Sequence, residues 1–96
     1  MTLPVVYRRG VGRDLASARS WYEEQRGGLG DEFLAAVGAT IDAIERFPEI
    51  FARVHGDVRR ATVGRFPFAV FYSVESTRVV VLAVLHIARN PELWPR

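Results

Sequence analysis

The hydrophobic pattern of the first half of the chain predicts one short strand followed by two helices. Residues 5–7, "VVY", are β-branched or aromatic, and Gly10 and Gly12 close this run, which is typical of a strand. Apolar residues then recur at helical spacing in two segments, 13–26 and 31–46. The first segment carries Leu15, Ala18, Trp21 and Tyr22, and the second carries Phe33, Val37, Ile41 and Ile44.

The glycine-rich stretch "GGLG" at 27–30 separates the two predicted helices. Three glycines in four residues favour a turn over a continuing helix. Asp31 then caps or opens the second helix, where an acidic side chain is favourable beside the positive end of the helix dipole. Pro48 makes continuation of that helix costly. The two helices should therefore form an antiparallel hairpin.

After residue 52 the period changes to that of strands. Residues 58–63 alternate loosely, residues 75–78 form a turn, and residues 79–86, "VVVLAVLH", are apolar on both faces, which is typical of a central strand. We therefore predict one α+β domain over residues 1–96, a two-layer β-α-α-β-β-β fold. The hairpin covers one face of a small, mostly antiparallel sheet of strand order 1-4-3-2. The strand at 66–74 places on one face Phe66, Phe68, Val70, Tyr72 and Val74.

The same pattern leaves the second face of the sheet without a helical cover. The strands at 66–74 and 79–86 carry apolar residues on both sides, whereas the hairpin covers only one side. The ten residues after His86 are the only remaining sequence that could cover the other side. Two alternatives are open: a partner chain occupies this surface, or the tail and the long arginine stems suffice.

Composition narrows the classes of function. The absence of cysteine excludes disulfides, thiolate chemistry and cysteine-based zinc sites. The chain has only two histidines, which argues against a catalytic zinc held by the protein. We therefore expect no metal and no cofactor. No apolar run approaches the ~20 residues of a membrane span, and the N-terminus lacks the pattern of a secretory signal. We therefore expect a cytoplasmic protein without a membrane partner.

The charge distribution points to an anion-facing second half. Residues 1–50 hold six arginines and eight acids, for a net charge of −2, whereas residues 51–96 hold seven arginines and three acids, for +4. All basic side chains other than histidine are arginine. The guanidinium group binds phosphate and carboxylate well, but it does not exchange protons near neutral pH. A genome-wide codon bias is the alternative explanation for the missing lysines.

His86 is the candidate for proton transfer or anion binding, because only histidine titrates near pH 7 without perturbation. It ends the central strand, on the face that strict alternation assigns to Val80, Leu82 and Val84. The alternative is a structural histidine at a strand terminus. Arg65, Arg89 and Arg96 could converge near His86, because hairpins return each strand beside its neighbour.

Arg59 and Arg60 are adjacent in a predicted strand, so they should point to opposite faces, one to solvent or a ligand and the other to the helices. Trp94 is interpreted as a tail anchor rather than a base-stacking platform. Metal-independent RNA cleavage needs a base, an acid and cations on the phosphate. His86 can serve as one of the two proton-transfer groups. No tyrosine follows Tyr72 and lysine is absent, so the sequence offers no convincing candidate for the second group.

Four ordered segments carry a resemblance to a known family: "WYEEQRGGLGDEFL", "IERFPEIF", "RRATVGRFPFAVFYSV" and "VLAVLHIARNPELWPR". Together they resemble the ParE/RelE superfamily of toxins from type II toxin–antitoxin modules, and more narrowly its ParE-like, plasmid-stabilization branch. The resemblance runs from about Val5 to the C-terminus. It implies a strand, a helical hairpin and an antiparallel sheet, in agreement with the pattern.

The resemblance implies a growth-inhibiting toxin that is silenced in a hetero-oligomer by the C-terminal segment of its antitoxin. Characterised ParE members poison DNA gyrase, whereas the RelE branch cleaves mRNA on the ribosome; a degenerate, inert interaction module is a third alternative. The tyrosine usually found after the histidine is replaced by Ile87-Ala88, and Ala88 and Asn90 depart from His-x-Arg-Arg-Asp-Pro, which weakens the nuclease and anion-site expectations. The residues expected to contact the antitoxin are Trp21, Tyr22, Phe68, Val70 and Tyr72. The residues expected at a nuclease site are His86, Arg65 and Arg89. The residues expected to bind the target or an anion are Arg59, Arg60, Arg96 and Trp94.

Overall fold

The computed structural model describes residues 3–89 and Trp94 and shows an α+β fold of two helices and five strands. The sheet has strand order β1-β5-β4-β3-β2, in which β1 is parallel to β5 and the other neighbours are antiparallel. The predicted order 1-4-3-2 is confirmed for the four predicted strands. The elements are β1 (Val5–Tyr7), α1 (Val11–Gln25), α2 (Leu29–Arg46), β2 (Arg53–His55), β3 (Val58–Val63), β4 (Phe66–Val74) and β5 (Val79–His86).

Strand β2 was not predicted, and it forms the edge of the sheet beside β3. All three of its residues are exposed, so its sequence shows no alternation of buried and exposed positions. The Arg60 amide donates to the Ala52 carbonyl at 3.1 Å, just before the strand begins. This edge strand therefore results from backbone pairing with β3 rather than from a hydrophobic pattern.

The turn between the helices is shorter than predicted, because α2 begins at Leu29 rather than at Asp31. Gly28 adopts a φ of +90° at the N-cap, a conformation that glycine tolerates best. The cap comes from α1: the two carboxylate oxygens of Glu23 accept the amides of Gly28 at 2.9 Å and Gly30 at 3.0 Å. Asp31 lies in the first turn of α2 instead of capping it.

The main core lies between the hairpin and the sheet. Phe33 and Ile44 of α2 are fully buried against Val70 and Tyr72 of β4, as the helical and strand periodicities predict. An aromatic cluster at one end of this core is formed by stacked and edge-to-face rings. Its members are Tyr22, Phe33, Phe66 and Phe68.

A bulge in β5 changes which of its residues face the helices. Phe71 is paired with Ala83 and Tyr72 with Val81, so Leu82 is the extra residue on β5. After the bulge, Val84 belongs to the core under the hairpin. Val79 and Val81 belong to the same core before the bulge, so Val80 faces the other side. The prediction that Val84 shares its face with Val80 is therefore wrong, because the extra residue reverses the alternation.

The second face of the sheet carries a smaller cluster, in which Ala69, Phe71 and Leu85 are buried. The indole ring of Trp94 packs on this cluster, 5.3 Å from the ring of Phe71. The guanidinium of Arg60 lies 5.3 Å from the centre of the indole. Among the described residues, the ring of Trp94 and the guanidinium of Arg60 thus lie on this face, a contact of the kind that the second alternative predicts.

Candidate functional site

A groove of about 300 Å³ opens between α1 and the ends of β4 and β5. We call it the hairpin groove. Apolar and aromatic side chains form most of its lining, with a small number of polar groups among them, which is typical of a binding site. The lining residues are Asp14, Ser17, Ala18, Trp21, Tyr22, Phe68, Val84, Leu85, His86 and Arg89.

Two elements position these side chains. On α1, Asp14, Ser17 and Trp21 are three and four residues apart, so they lie along one face of the helix. On the sheet, Phe68 of β4 is paired directly with His86 of β5, and their rings meet edge to face at 5.3 Å. The groove therefore joins one helix face to the end of a strand pair.

The imidazole of His86 is fixed by the turn that follows β5. Its Nδ1 accepts hydrogen bonds from the amides of Ala88 at 3.1 Å and Arg89 at 3.0 Å. Desolvation, and secondly the charge of Arg89, lowers the pKa of His86 below its usual 6.5. Because Nδ1 is an acceptor, the neutral ring carries its proton on Nε2.

Among residues 3–89 and 94, Arg89 is the predicted arginine that lies in the hairpin groove with His86. Its guanidinium lies 5.1 Å from the ring centre of Trp21. Tyr22 closes the inner wall, and burial raises the pKa of its hydroxyl while the charge of Arg89 opposes this change. The groove thus offers the donors of an arginine and a neutral imidazole beside an apolar wall.

The other candidate arginines lie elsewhere among the described residues. Arg59 donates to the carbonyls of Glu49 at 3.0 Å and Phe51 at 2.7 Å, on the helix side of the sheet. Arg65 pairs with Glu32, and hydrogen bonds from Arg26 and then Arg65 lower the pKa of that carboxyl. The predicted convergence of Arg65 on His86 is therefore wrong, because Glu32 holds its guanidinium.

Arg60 lies on the opposite side of the sheet from Arg59, as strand geometry predicts. Arg60 is paired with Phe71 of the second-face cluster, and Arg59 with Tyr72 of the main core. Arg96 lies outside the described residues.

The five residues expected to contact a partner fall into two groups. Trp21 is 44% exposed, and Tyr22 and Phe68 also line the hairpin groove. Val70 and Tyr72 are fully buried under the hairpin, and the Tyr72 hydroxyl donates to the Pro48 carbonyl at 2.6 Å. The expectation that Val70 and Tyr72 contact a partner does not fit this burial, because the helices already cover them.

Two groove residues, Asp14 and Ser17, were missed in the sequence. Their spacing with Trp21 was the available signal, since residues 14, 17 and 21 share a helix face. Among residues 3–89 and 94, no group of three or more histidine and acidic side chains is arranged to hold a metal ion. Within the same residues, no helix is long and apolar enough to cross a membrane.

Comparisons with known proteins agree with this architecture. A solved structure described as the chromosomal ParDE TA system from P. aeruginosa superimposes with a TM-score of 0.67. It is 18% identical in sequence and covers 88% of this chain and 96% of that chain, so the likeness concerns the fold. No significant match was found among curated proteins. Residues 5–91 match the family described as the ParE toxin of type II toxin-antitoxin system, parDE, and the chain therefore belongs to the ParE toxin family.

Proposed function

We propose that this protein is the toxin of a type II toxin–antitoxin module and that, when free of its antitoxin, it inhibits growth by binding DNA gyrase. Family membership supports the toxin role, and the resemblance to the ParE-like branch supports gyrase as the target. The observation that favours binding over RNA cleavage is the pair of backbone hydrogen bonds accepted by Nδ1 of His86.

These hydrogen bonds disfavour both proton-transfer roles of His86. A general base needs a free lone pair on the exposed ring nitrogen, but the neutral ring carries a proton on Nε2 because Nδ1 is an acceptor. A general acid needs the imidazolium, whose formation would replace the Nδ1 acceptor by a donor facing two amides. Desolvation and the charge of Arg89 both lower the pKa of His86, which further disfavours the imidazolium. His86 is thus suited to donate a hydrogen bond rather than to exchange a proton.

The positions of the arginines support the same choice. RNA cleavage needs several cations around one phosphate. Arg59 binds two carbonyls and Arg65 binds Glu32, so that among the described residues Arg89 is the arginine that lines the hairpin groove. Asp14 also lines the groove, and its carboxylate would repel a phosphate. An apolar groove with a few donors and one acid suits a polypeptide better than RNA.

The first experiment is expression without the antitoxin, together with a purified gyrase assay. We expect an SOS response in cells and stabilised gyrase cleavage complexes in vitro. Translation arrest with codon-aligned mRNA cuts would contradict the proposal in favour of the nuclease. Normal growth without a gyrase effect would identify the inert module.

Two substitutions of His86 make this experiment sharper. His86→Asn keeps an acceptor near the position of Nδ1 but removes the only titratable nitrogen, whereas His86→Ala removes both. If the protein acts by binding, His86→Asn should retain most of its toxicity and His86→Ala should lose more. Equal and complete loss in both variants, with folding intact by circular dichroism, would instead indicate proton transfer by the imidazole.

The antitoxin contact is tested separately. We propose that the antitoxin covers the hairpin groove with an apolar segment that carries acidic residues, complementary to Arg89 and to the +4 charge of residues 51–96. Trp21→Ala should weaken antitoxin binding at least about tenfold, as expected for an exposed aromatic anchor. The matched control is Phe47→Ala, which truncates an aromatic ring that is 59% exposed and lies outside the groove. Equal effects of the two substitutions in calorimetric titrations would argue against this surface.

A further inference from the structure

The charged side chains of the hairpin groove lie at two different places along α1. Asp14 and Trp21 are seven residues apart on this helix, which corresponds to about 10 Å along its axis. The guanidinium of Arg89 lies 5.1 Å from the ring centre of Trp21, and the amide of Arg89 donates to Nδ1 of His86 at 3.0 Å. We call the part of the groove beside Asp14 its acidic end and the part beside Trp21 and Arg89 its basic end.

The two ends are open to a partner. Among the ion pairs of the described residues, none links Asp14 to Arg89. Asp14 is half-buried in the first turn of α1, and Arg89 is exposed. Between the two ends, the helix wall of the groove consists of Ser17 and Ala18, whose side chains are short. A polypeptide that lies along α1 can therefore contact both charged groups.

Other charged groups near the start of α1 lie outside the groove. Arg8 and Arg9 precede the helix, and Arg13 is displaced from Asp14 by about 100° around the helix axis. These three arginines are not part of the groove lining in the described chain. Exposed charges more than about 8 Å apart are largely screened at physiological ionic strength, so the groups in contact with a partner determine which charges it must carry. Within the described lining, those groups are Asp14 and Arg89.

We propose that the hairpin groove selects the direction in which its partner binds, because a basic side chain of the antitoxin segment pairs with Asp14 and an acidic one pairs with Arg89. This inference rests on the proposed binding of the antitoxin to the groove and adds a basic residue and an orientation to it. Binding in the reversed direction would place like charges together at both ends. The two partner residues should be about seven positions apart in a helical segment and about three in an extended one.

The sign of the effect of Asp14→Lys on antitoxin binding tests this inference. A segment with a basic residue at the acidic end should bind this variant at least about tenfold more weakly than the wild type, because a close charge pair is replaced by like charges. A uniformly acidic segment, which the +4 charge of residues 51–96 would also attract, should bind the variant more tightly. Unchanged or tighter binding in calorimetric titrations would overturn the proposal.

Asp42→Lys is the matched control, because it makes the same change of net charge at an exposed position of α2 outside the groove. Its affinity for the antitoxin should stay within about twofold of the wild type. A double-mutant cycle then identifies the partner residue: each lysine or arginine of the antitoxin segment is changed to glutamine and combined with Asp14→Asn. One of these changes should cause little further loss of affinity in the Asp14→Asn background. Additive losses for all of them would refute the charge pair.

The folding of the variants is controlled separately, because Asp14 also lies near the positive end of the α1 dipole, where a lysine is unfavourable. Asp14→Asn removes the charge and keeps the size of the side chain. Its affinity should be lower than that of the wild type at low salt, and the difference should shrink as the salt concentration rises. A purely structural role of Asp14 would give a difference that does not depend on salt.

Trp21→Ala distinguishes failure of this inference from failure of the proposed function. If Trp21→Ala weakens antitoxin binding and Asp14→Lys does not, the groove binds the antitoxin but the charge pattern is wrong. If neither substitution changes the affinity, the groove is not the antitoxin surface and both proposals fail.

Discussion

The crossing of the two helices at Gly30 allows a substitution with a defined steric effect. Gly30 is buried at the start of α2, where its amide is accepted by Glu23 of α1. A Cβ atom at this position would lie 2.7 Å from the carbonyl oxygen of Arg19 and 2.9 Å from both Cγ of Arg19 and Oε1 of Glu23. The nearest of these atoms belongs to the backbone of α1 and cannot rotate away.

The magnitude follows from this geometry. Ordinary contact begins at 3.4 Å, so the helices must separate by 0.7 Å, the difference between 3.4 and 2.7 Å, to accept the methyl group of Gly30→Ala. Overpacking of this kind costs about 1–3 kcal/mol, and loss of the hydrogen bond to Glu23 would add about 1 kcal/mol. The higher helix propensity of alanine returns about 1 kcal/mol. We therefore expect Gly30→Ala to destabilise the fold by about 1–3 kcal/mol.

Gly38 supplies the control within the same helix. It is exposed, and a Cβ atom there would meet nothing within 4 Å. Gly38→Ala should therefore stabilise the fold by up to about 1 kcal/mol through helix propensity alone. Urea unfolding, followed by circular dichroism and fitted with one m value for both variants, would measure both free-energy changes. Equal stabilisation by the two substitutions would show that the helices do not cross as closely as the structure indicates.

Four further substitutions or titrations test other contacts. Tyr72→Phe leaves the Pro48 carbonyl without its donor and should cost about 1 kcal/mol in urea unfolding, whereas Tyr7→Phe, at a ring that is 54% exposed, should cost almost nothing. Burial raises the pKa of Tyr72 to about 12 from 10.0, so its contribution to stability should be complete below pH 10 and lost as the pH rises through 12, as ultraviolet titration would report. The lowered pKa of His86 predicts an NMR midpoint below 6.5, with its contribution to stability complete above pH 6.5 and lost as the pH falls through the folded-state pKa. Glu23→Gln, which replaces one of two capping oxygens by a donor, should cost about 0.5–2 kcal/mol, and a neutral result would contradict the cap.

The fold was largely predictable because its elements have strong periodicities. The helical spacing that leads to Phe33 and Ile44 and the alternation that leads to Val70 and Tyr72 describe the two sides of one core. Strand β2 could not be found in this way, since its three residues are all exposed and its existence depends on pairing with β3. Edge strands of this kind are determined by the partner backbone, about which local sequence says little.

The errors in the candidate site have equally specific causes. Strict alternation assigned Val80 and Val84 to one face, but the bulge at Leu82 reverses the pattern before His86. Arg65 was expected to converge near His86, but it pairs with Glu32 of α2, a contact between residues 33 positions apart. Such contacts depend on the packing of helix against sheet, which composition and periodicity leave undefined.

The histidine at the end of β5 illustrates how one geometry can favour a structural role over a catalytic one. When the chain leaves the sheet, the amides of Ala88 and Arg89 no longer have a neighbouring strand and need an acceptor. The imidazole Nδ1 of His86 serves both of them, and it can do so only while it carries no proton. An arginine could not replace it, because a guanidinium has no acceptor, whereas asparagine could. The same hydrogen bonds that hold this turn therefore leave the imidazole of His86 with one donor, Nε2–H, beside the donors of Arg89 in the hairpin groove, as the proposed binding role requires.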